Sequence, residues 1–171
     1  MKKTILLLCM VAITGRAEIT IDGDTKSPDG LYSIQAGKDA VTLNAAGGES
    51  LGTVIDRTAD IQATVSALWS PNSQAVVTVE QYGKTADVLI TTMYDKKCQT
   101  RMVNDEGKIA EFYKAQGIYD KVATEVVYAQ KWLDDYRVVI ATTATTRDGK
   151  VVIYRYMAGL DGKTGPCKVW E

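Results

Sequence analysis

Hydrophobic and polar residues alternate along most of this chain with a period of two, which is typical of β-strands that face a core on one side. Polar turns rich in Gly and Asp separate the alternating segments, and Asp148-Gly149 is a favoured pair for a tight β-turn. The pattern therefore predicts a mainly β fold built from antiparallel hairpins. The predicted strands are 31–36, 40–45, 51–57, 63–68, 75–81, 86–93, 137–143 and 151–157, with a last short strand at 167–170.

One segment has the period of a helix instead. Residues 106–116 are rich in Ala, Lys and Glu, and they place Ile109, Phe112 and Tyr113 at positions i, i+3 and i+4. Such spacing puts all three apolar side chains on one helix face. We therefore predict one helical insert near 106–120 in the otherwise β-rich chain.

The segment that follows fits two interpretations. Val122, Val126 and Ala129 keep a helical period, whereas 124–128 is a β-branched run that suits a strand. We expect a strand from Thr124 onwards.

Two turns of similar composition start 43 residues apart, Ser27-Pro28-Asp29-Gly30 and Ser70-Pro71-Asn72-Ser73. A third copy, displaced in spacing, is Trp132-Leu133-Asp134-Asp135. The 43-residue interval matches the length of one four-stranded propeller blade. These turns resemble the inter-blade turns of WD40-like and TolB-like β-propellers, as in small secreted bacterial proteins. Because a closed ring takes at least four blades, the resemblance implies a partial propeller: antiparallel, propeller-blade-like sheets that do not close into a ring.

The first residues have the order of a secretory signal peptide. Lys2 and Lys3 precede the apolar run 4–14, and small residues follow at 15 and 17. The run is too short to span a bilayer. We predict cleavage after residue 17, a single β-rich domain over 18–171, and a periplasmic or secreted location. A buried N-terminal strand is the alternative.

The net charge limits the expected class of partner, and the cysteines bear on the expected disulfide. Loss of residues 1–17 removes three basic side chains and moves the net charge from −1 to −4. That balance argues against nucleic acid or an anionic membrane as partner, so another envelope or extracellular protein is the expected one. In an oxidising compartment Cys98 and Cys167 are predicted to form a disulfide, which would close a loop worth about 4 kcal/mol. Two separate thiols are the alternative.

The chain contains no histidine, which excludes Ser-His-Asp catalysis, Cys-His catalysis and histidine-based zinc sites. The acid pairs Asp134-Asp135 and Asp105-Glu106 are interpreted as turn and helix-start residues, because neighbouring side chains on a strand point to opposite faces. We therefore predict no metal, no cofactor and no enzymatic activity.

A possible binding surface lies among the aromatic residues of the second half. Tyr154 and Tyr156 are two apart on a predicted strand, so they share a face with Val152. They could form a platform for a sugar or a peptide, or they could pack in the core. Arg137 and Arg155 lie on facing strands of the same predicted hairpin and could flank that platform.

These features predict a secreted or periplasmic binding or interaction protein without enzymatic activity. The alternative is an inhibitor of an exported hydrolase, similar to the lysozyme inhibitors, which would insert one exposed loop into the enzyme's cleft. A third interpretation, an enzyme that uses carboxylates alone, requires two acids that converge in a pocket.

Overall fold

Three β-meanders in series make up most of the protein, in a computed structural model that describes residues 19–23, 25–56, 63–105 and 107–167. The predicted signal peptide lies outside the described residues. The strands are β1 (Thr20–Gly23), β2 (Tyr32–Ala36), β3 (Ala40–Ala45), β4 (Ser50–Asp56), β5 (Thr64–Trp69), β6 (Ala75–Tyr82), β7 (Thr85–Tyr94), β8 (Lys97–Met102), β9 (Val122–Trp132), β10 (Arg137–Thr146), β11 (Val151–Gly159) and β12 (Thr164–Pro166).

These strands form three sheets, and none of them closes on itself over the described residues. Their orders are β2-β3-β4, β1-β5-β6-β7-β8 and β12-β11-β10-β9. All pairings are antiparallel except that of β1 with β5, which is parallel. The predicted mainly β fold with antiparallel hairpins is therefore confirmed.

The helical insert is confirmed as well. Helix α1 (Lys108–Ala115) follows the five-stranded sheet, and Gly117 lies just beyond it with a φ of 65°, in the left-handed region that favours glycine. The segment 124–128 belongs to β9, as expected. The predicted last strand at 167–170 lies mostly outside the described residues, and the observed last strand is β12. No helix in the described ranges is long and apolar enough to cross a membrane.

The core explains why the three sheets stack. Alternate side chains of β6 point to opposite faces of the five-stranded sheet, so Val76 packs towards the β2-β3-β4 sheet while Val77 and Val79 pack towards the four-stranded sheet. All three valines are essentially inaccessible to solvent, and burial of such a side chain is worth about 2 kcal/mol. The five-stranded sheet is thus covered on both faces.

The turn between β5 and β6 is fixed by the side chain of Ser70. Its hydroxyl donates a hydrogen bond to Asn72 Oδ1 at 2.8 Å and accepts one from the Ala75 N–H at 2.9 Å. Ser73 has a φ of 62°, the left-handed conformation that reverses the chain. Trp69, just before the turn, packs in the core between the first two sheets.

The turn before β2 repeats this arrangement. The Ser27 hydroxyl donates to Asp29 Oδ1 at 2.6 Å and accepts from the Tyr32 N–H at 2.9 Å, five residues on. The two turns also contact each other, because the Asp29 N–H donates to Ser73 Oγ at 3.1 Å. The sequence similarity at a 43-residue interval is therefore also a similarity of hydrogen bonding.

Two side chains join the five-stranded and four-stranded sheets. The Gln81 amide accepts from the Val127 N–H at 3.2 Å and donates to the Glu125 carbonyl at 3.3 Å, as a neighbouring strand would. Trp132 Nε1 donates to the Leu68 carbonyl at 3.1 Å. The Gln81 amide thereby bonds two backbone groups at the outer edge of β9, which blocks strand pairing at that point of the edge.

The predicted disulfide is not formed between Cys98 and Cys167, both of which lie in the described part of the chain. Cys98 lies on β8 at the edge of the five-stranded sheet, where it packs against the first core cluster. Cys167 directly follows β12, at the edge of the four-stranded sheet. The two cysteines belong to different sheets, a separation that sequence spacing does not reveal.

Candidate binding surface

The two predicted site tyrosines lie on the covered face of β11. The ring of Tyr154 lies 4.8 Å from that of Phe112 on α1 and 6.0 Å from that of Tyr156. Tyr156 is only 3% exposed, and burial raises the pKa of both tyrosines above the ordinary value. They share a face with Val152, as predicted, but that face packs on α1 and the five-stranded sheet.

The two predicted arginines lie on the opposite face. Antiparallel pairing places Arg137 opposite Gly159 and Arg155 opposite Ala141, so both side chains point away from the tyrosines. Arg137 makes two hydrogen bonds to Asp134 Oδ2, at 2.8 and 2.5 Å, and its guanidinium lowers the pKa of that carboxyl. Arg155 Nε donates to Gln130 Oε1 at 3.1 Å. The structure therefore does not bring the four residues together into one surface.

Most residues of the face that carries the arginines are exposed or half-buried, whereas Val139 and Ala141 at its centre are buried. We call this face the open face. Its apolar part consists of two rows of side chains that run across the three strands. One row is Val126, Thr143 and Ile153, and the other is Thr124, Thr145 and Val151. The exposed fractions of Val126, Val151 and Ile153 are 52%, 58% and 42%. The open face is formed by Thr124, Val126, Tyr128 and Lys131 of β9, by Arg137, Val139, Ala141, Thr143 and Thr145 of β10, and by Val151, Ile153, Arg155 and Met157 of β11.

The other half of the open face is basic. Lys131, Arg137 and Arg155 project from it, and none of its residues is acidic. Arg137 is balanced by Asp134, whereas Lys131 and Arg155 form no ion pair within the described part of the chain. Ala141 is fully buried between Tyr128 and Arg155, which lie opposite it on the two neighbouring strands. An apolar half thus adjoins a cationic half that includes a tyrosine.

The uncovered face at the other end of the stack is different. On the β2-β3-β4 sheet the outward side chains include Gln35, Thr42 and Asn44, and Asn44 Nδ2 donates to both Gln35 Oε1 and Thr42 Oγ1 at 3.4 Å. These polar groups bond to one another; Gln35 is exposed, Thr42 is half-buried and Asn44 is only 8% exposed. Over the residues that the structure describes, the two outer faces of the stack are therefore not equivalent, and the one on the four-stranded sheet exposes Val126, Val151 and Ile153.

A sequence signal for the open face exists in β11. Residues 151–154 are apolar or aromatic at four consecutive positions, whereas a strand with one solvated face alternates. Compared with protein-family models, with curated proteins and with solved structures, the chain matches none of them. The geometry and chemistry of the open face are therefore the basis for a proposed function.

Proposed function

We propose that this chain is a secreted or periplasmic binding protein without enzymatic activity, whose open face docks a partner protein. The observation that carries the proposal is the combination on that face of exposed valine and isoleucine with lysine and arginine. Exposed apolar patches of this kind mark interaction sites in soluble proteins. The basic leader with its apolar run supports export.

Charge specifies the partner further. The whole chain carries a net charge of −1, yet the open face has three basic and no acidic residues. A complementary partner presents acidic side chains beside an apolar centre, which steers encounter and fixes orientation. Nucleic acid is a poorer match, because phosphate has nothing to contact on the Val126, Val151 and Ile153 half.

The proposal also includes blade-like architecture. Two features support it: the matching Ser27 and Ser70 turns, and the stacking of three antiparallel meanders in series. In a propeller each blade packs its face against the next. The open face is then the surface where another blade would pack, which explains its apolar, β-branched character.

Substitutions confined to the open face test the docking proposal. The double variant Val126→Thr with Ile153→Thr removes apolar surface but keeps β-branched residues, so the fold should be retained. Arg155→Glu reverses one charge. A partner captured from an envelope extract and then purified should bind both variants at least tenfold more weakly.

The matched control is Gln35→Glu, on the polar outer face of the β2-β3-β4 sheet, which should bind like the unchanged protein. Binding to Arg155→Glu should also lose most of its dependence on salt concentration. A purified partner that binds all of these proteins equally well would remove the open face from the proposal.

A second candidate function, inhibition of an exported hydrolase, is favoured by the hairpin between β7 and β8. Tyr94 at its tip is 83% exposed, and Asp95 and Lys96 both have positive φ, 52° and 61°. Strained, exposed backbone of this kind is common at functional loops. Inhibition of a lysozyme panel that is abolished by Tyr94→Ala would support this function, and no inhibition at micromolar protein would count against it.

A further inference from the structure

A small cleft lies between the five-stranded and four-stranded sheets, on the covered side of β11 and away from the open face. The start of α1 closes one end of it. Its volume is about 120 Å³. Its walls are formed by Ala86, Asp87 and Val88 of β7, by Met102, Val103 and Asp105 after β8, by Ile109 of α1, by Glu125 and Val127 of β9, and by Tyr156 of β11.

Three carboxylates line this cleft and no basic residue does. Two of the three are held in place by hydrogen bonds. Asp105 accepts from the backbone N–H groups of Gly107 and Ile109, both at 3.2 Å, and Asp87 accepts from the Tyr82 hydroxyl at 2.9 Å. The carboxylates are therefore presented on a preformed framework that includes the first turn of α1.

Glu125 is half-buried. Burial raises the pKa of its carboxyl, the adjacent hydroxyl of Tyr113 opposes the shift, and the charge of Asp105 adds to it. A buried carboxylate near another gains strongly from a cationic partner. The ammonium group of Lys108, in the first turn of α1, donates to Thr164 Oγ1 at 3.0 Å.

Two buried phenols provide an observation independent of the acids. Tyr156 is 97% buried and lines the cleft, and no hydrogen bond reaches its hydroxyl from the described residues. The hydroxyl of Tyr113 is also buried, beside Glu125, and has no hydrogen bond of normal geometry within the described ranges. Buried polar groups are usually bonded, and each exception calls for an explanation.

We propose that the cleft binds a primary ammonium group at the end of a short alkyl chain. The ammonium has three N–H donors, which match the Glu125 and Asp105 carboxylates and the Tyr156 hydroxyl oxygen. The apolar side chains of Val88, Val103 and Val127 would contact the methylenes. The volume corresponds to about four water molecules, which suits an ammonium group with a few methylenes.

Both a free alkylamine and the lysine side chain of a partner protein present this chemistry. The site differs from a metal site in one respect. Among the described residues, no three acidic or cysteine side chains converge closely enough to hold a metal ion. An ammonium group needs only two carboxylates and one hydroxyl oxygen as acceptors, so it does not require three convergent acids.

The test is a titration of the complete, ¹⁵N-labelled protein with n-propylammonium chloride, followed by amide chemical shifts. Saturable shifts should appear at Val103, Val127 and Tyr156, and Glu125→Gln should weaken binding at least tenfold. The matched control is Glu49→Gln, which removes an exposed carboxylate on the first meander. A neutral probe, n-propanol, should give no saturable shift.

A second titration distinguishes a lysine side chain of a partner protein from a free amine. N-acetyl-lysine amide should bind more tightly than n-propylammonium if the cleft receives a partner's lysine, and more weakly if it receives a free amine. Any of three results overturns the proposal. The first is the absence of saturable shifts up to about 50 mM n-propylammonium, since a dissociation constant above that value is too weak to be useful. The others are equal binding of n-propylammonium by folded Glu125→Gln, and the same chemical-shift changes on addition of CaCl₂.

Discussion

The serine hydroxyl in the β5–β6 turn is expected to be more important for stability than its counterpart in the turn before β2. In Ser70→Ala the hydroxyl that accepts from the Ala75 N–H is lost. Both Ser70 and Ala75 are fully buried, so water cannot take the place of that acceptor. Loss of one hydrogen bond costs about 1 kcal/mol, and the unsatisfied buried donor adds about 2 kcal/mol. We therefore expect a destabilisation of about 3 kcal/mol.

The same substitution at Ser27 breaks an equivalent bond in a more open place. The donor left behind is the Tyr32 N–H, in a half-buried residue next to Leu31, whose exposed fraction is 56%. Water can reach that donor, so Ser27→Ala should cost only about 1 kcal/mol. The loss of the serine hydroxyl should therefore cost less stability in the turn before β2 than in the β5–β6 turn, because the Tyr32 N–H is less buried than the Ala75 N–H.

Urea unfolding followed by circular dichroism measures both values, and the slope against urea concentration should not change. Ser33→Ala on β2 is the control, because its side chain forms no hydrogen bond within the described chain; it should lie within about 0.5 kcal/mol of the unchanged protein. Equal losses in Ser70→Ala and Ser27→Ala would refute the argument from burial.

Three further predictions concern other parts of the stack. Gly52→Ala should destabilise the folded protein by about 2 kcal/mol, because a Cβ at this position would lie 2.5 Å from Cys98 Sγ. In a double-mutant cycle, Cys98→Ala should restore part of the lost stability. Purely additive effects of the two substitutions would contradict the contact. Lys96→Gly should stabilise by about 0.5 kcal/mol by relieving positive φ, measured by thermal unfolding. Burial raises the pKa of Glu125 above the ordinary 4.5, so ionisation of that carboxyl opposes folding as pH rises; Glu125→Gln should be the more stable protein at pH 7, with the difference vanishing below pH 4.5.

The strand pattern predicted the hairpins correctly because β-branched residues run through β6 and β10, and polar turns with Gly, Asp or Asn separate the strands. It also placed Tyr154 and Tyr156 on one face. The same period implied that Arg155, which lies between them, points the other way, so the two arginines and two tyrosines could not form one surface. Which face would be covered depends on where α1 packs, and local sequence does not contain that information.

The cleft could not be predicted from the sequence, for a similar reason. Asp87, Asp105 and Glu125 lie on separate elements, and only the stacking of two sheets brings them to one cavity. Asp105 was expected to be a helix-start residue, and its carboxylate does accept from the first-turn backbone. A residue can fill that structural role and still present a charge to the cleft, which spacing along the chain cannot show.

The exposed valine and isoleucine rows are not explained by folding alone. Threonine at 143 and 145 shows that β10 accepts a polar β-branched residue on the open face, and threonine serves a strand nearly as well as valine. The outward face of the β2-β3-β4 sheet carries polar side chains instead, and there Asn44 is hydrogen-bonded to Gln35. Because strand formation does not require Val126, Val151 or Ile153 to be apolar, their exposure supports the proposal that the open face docks a partner.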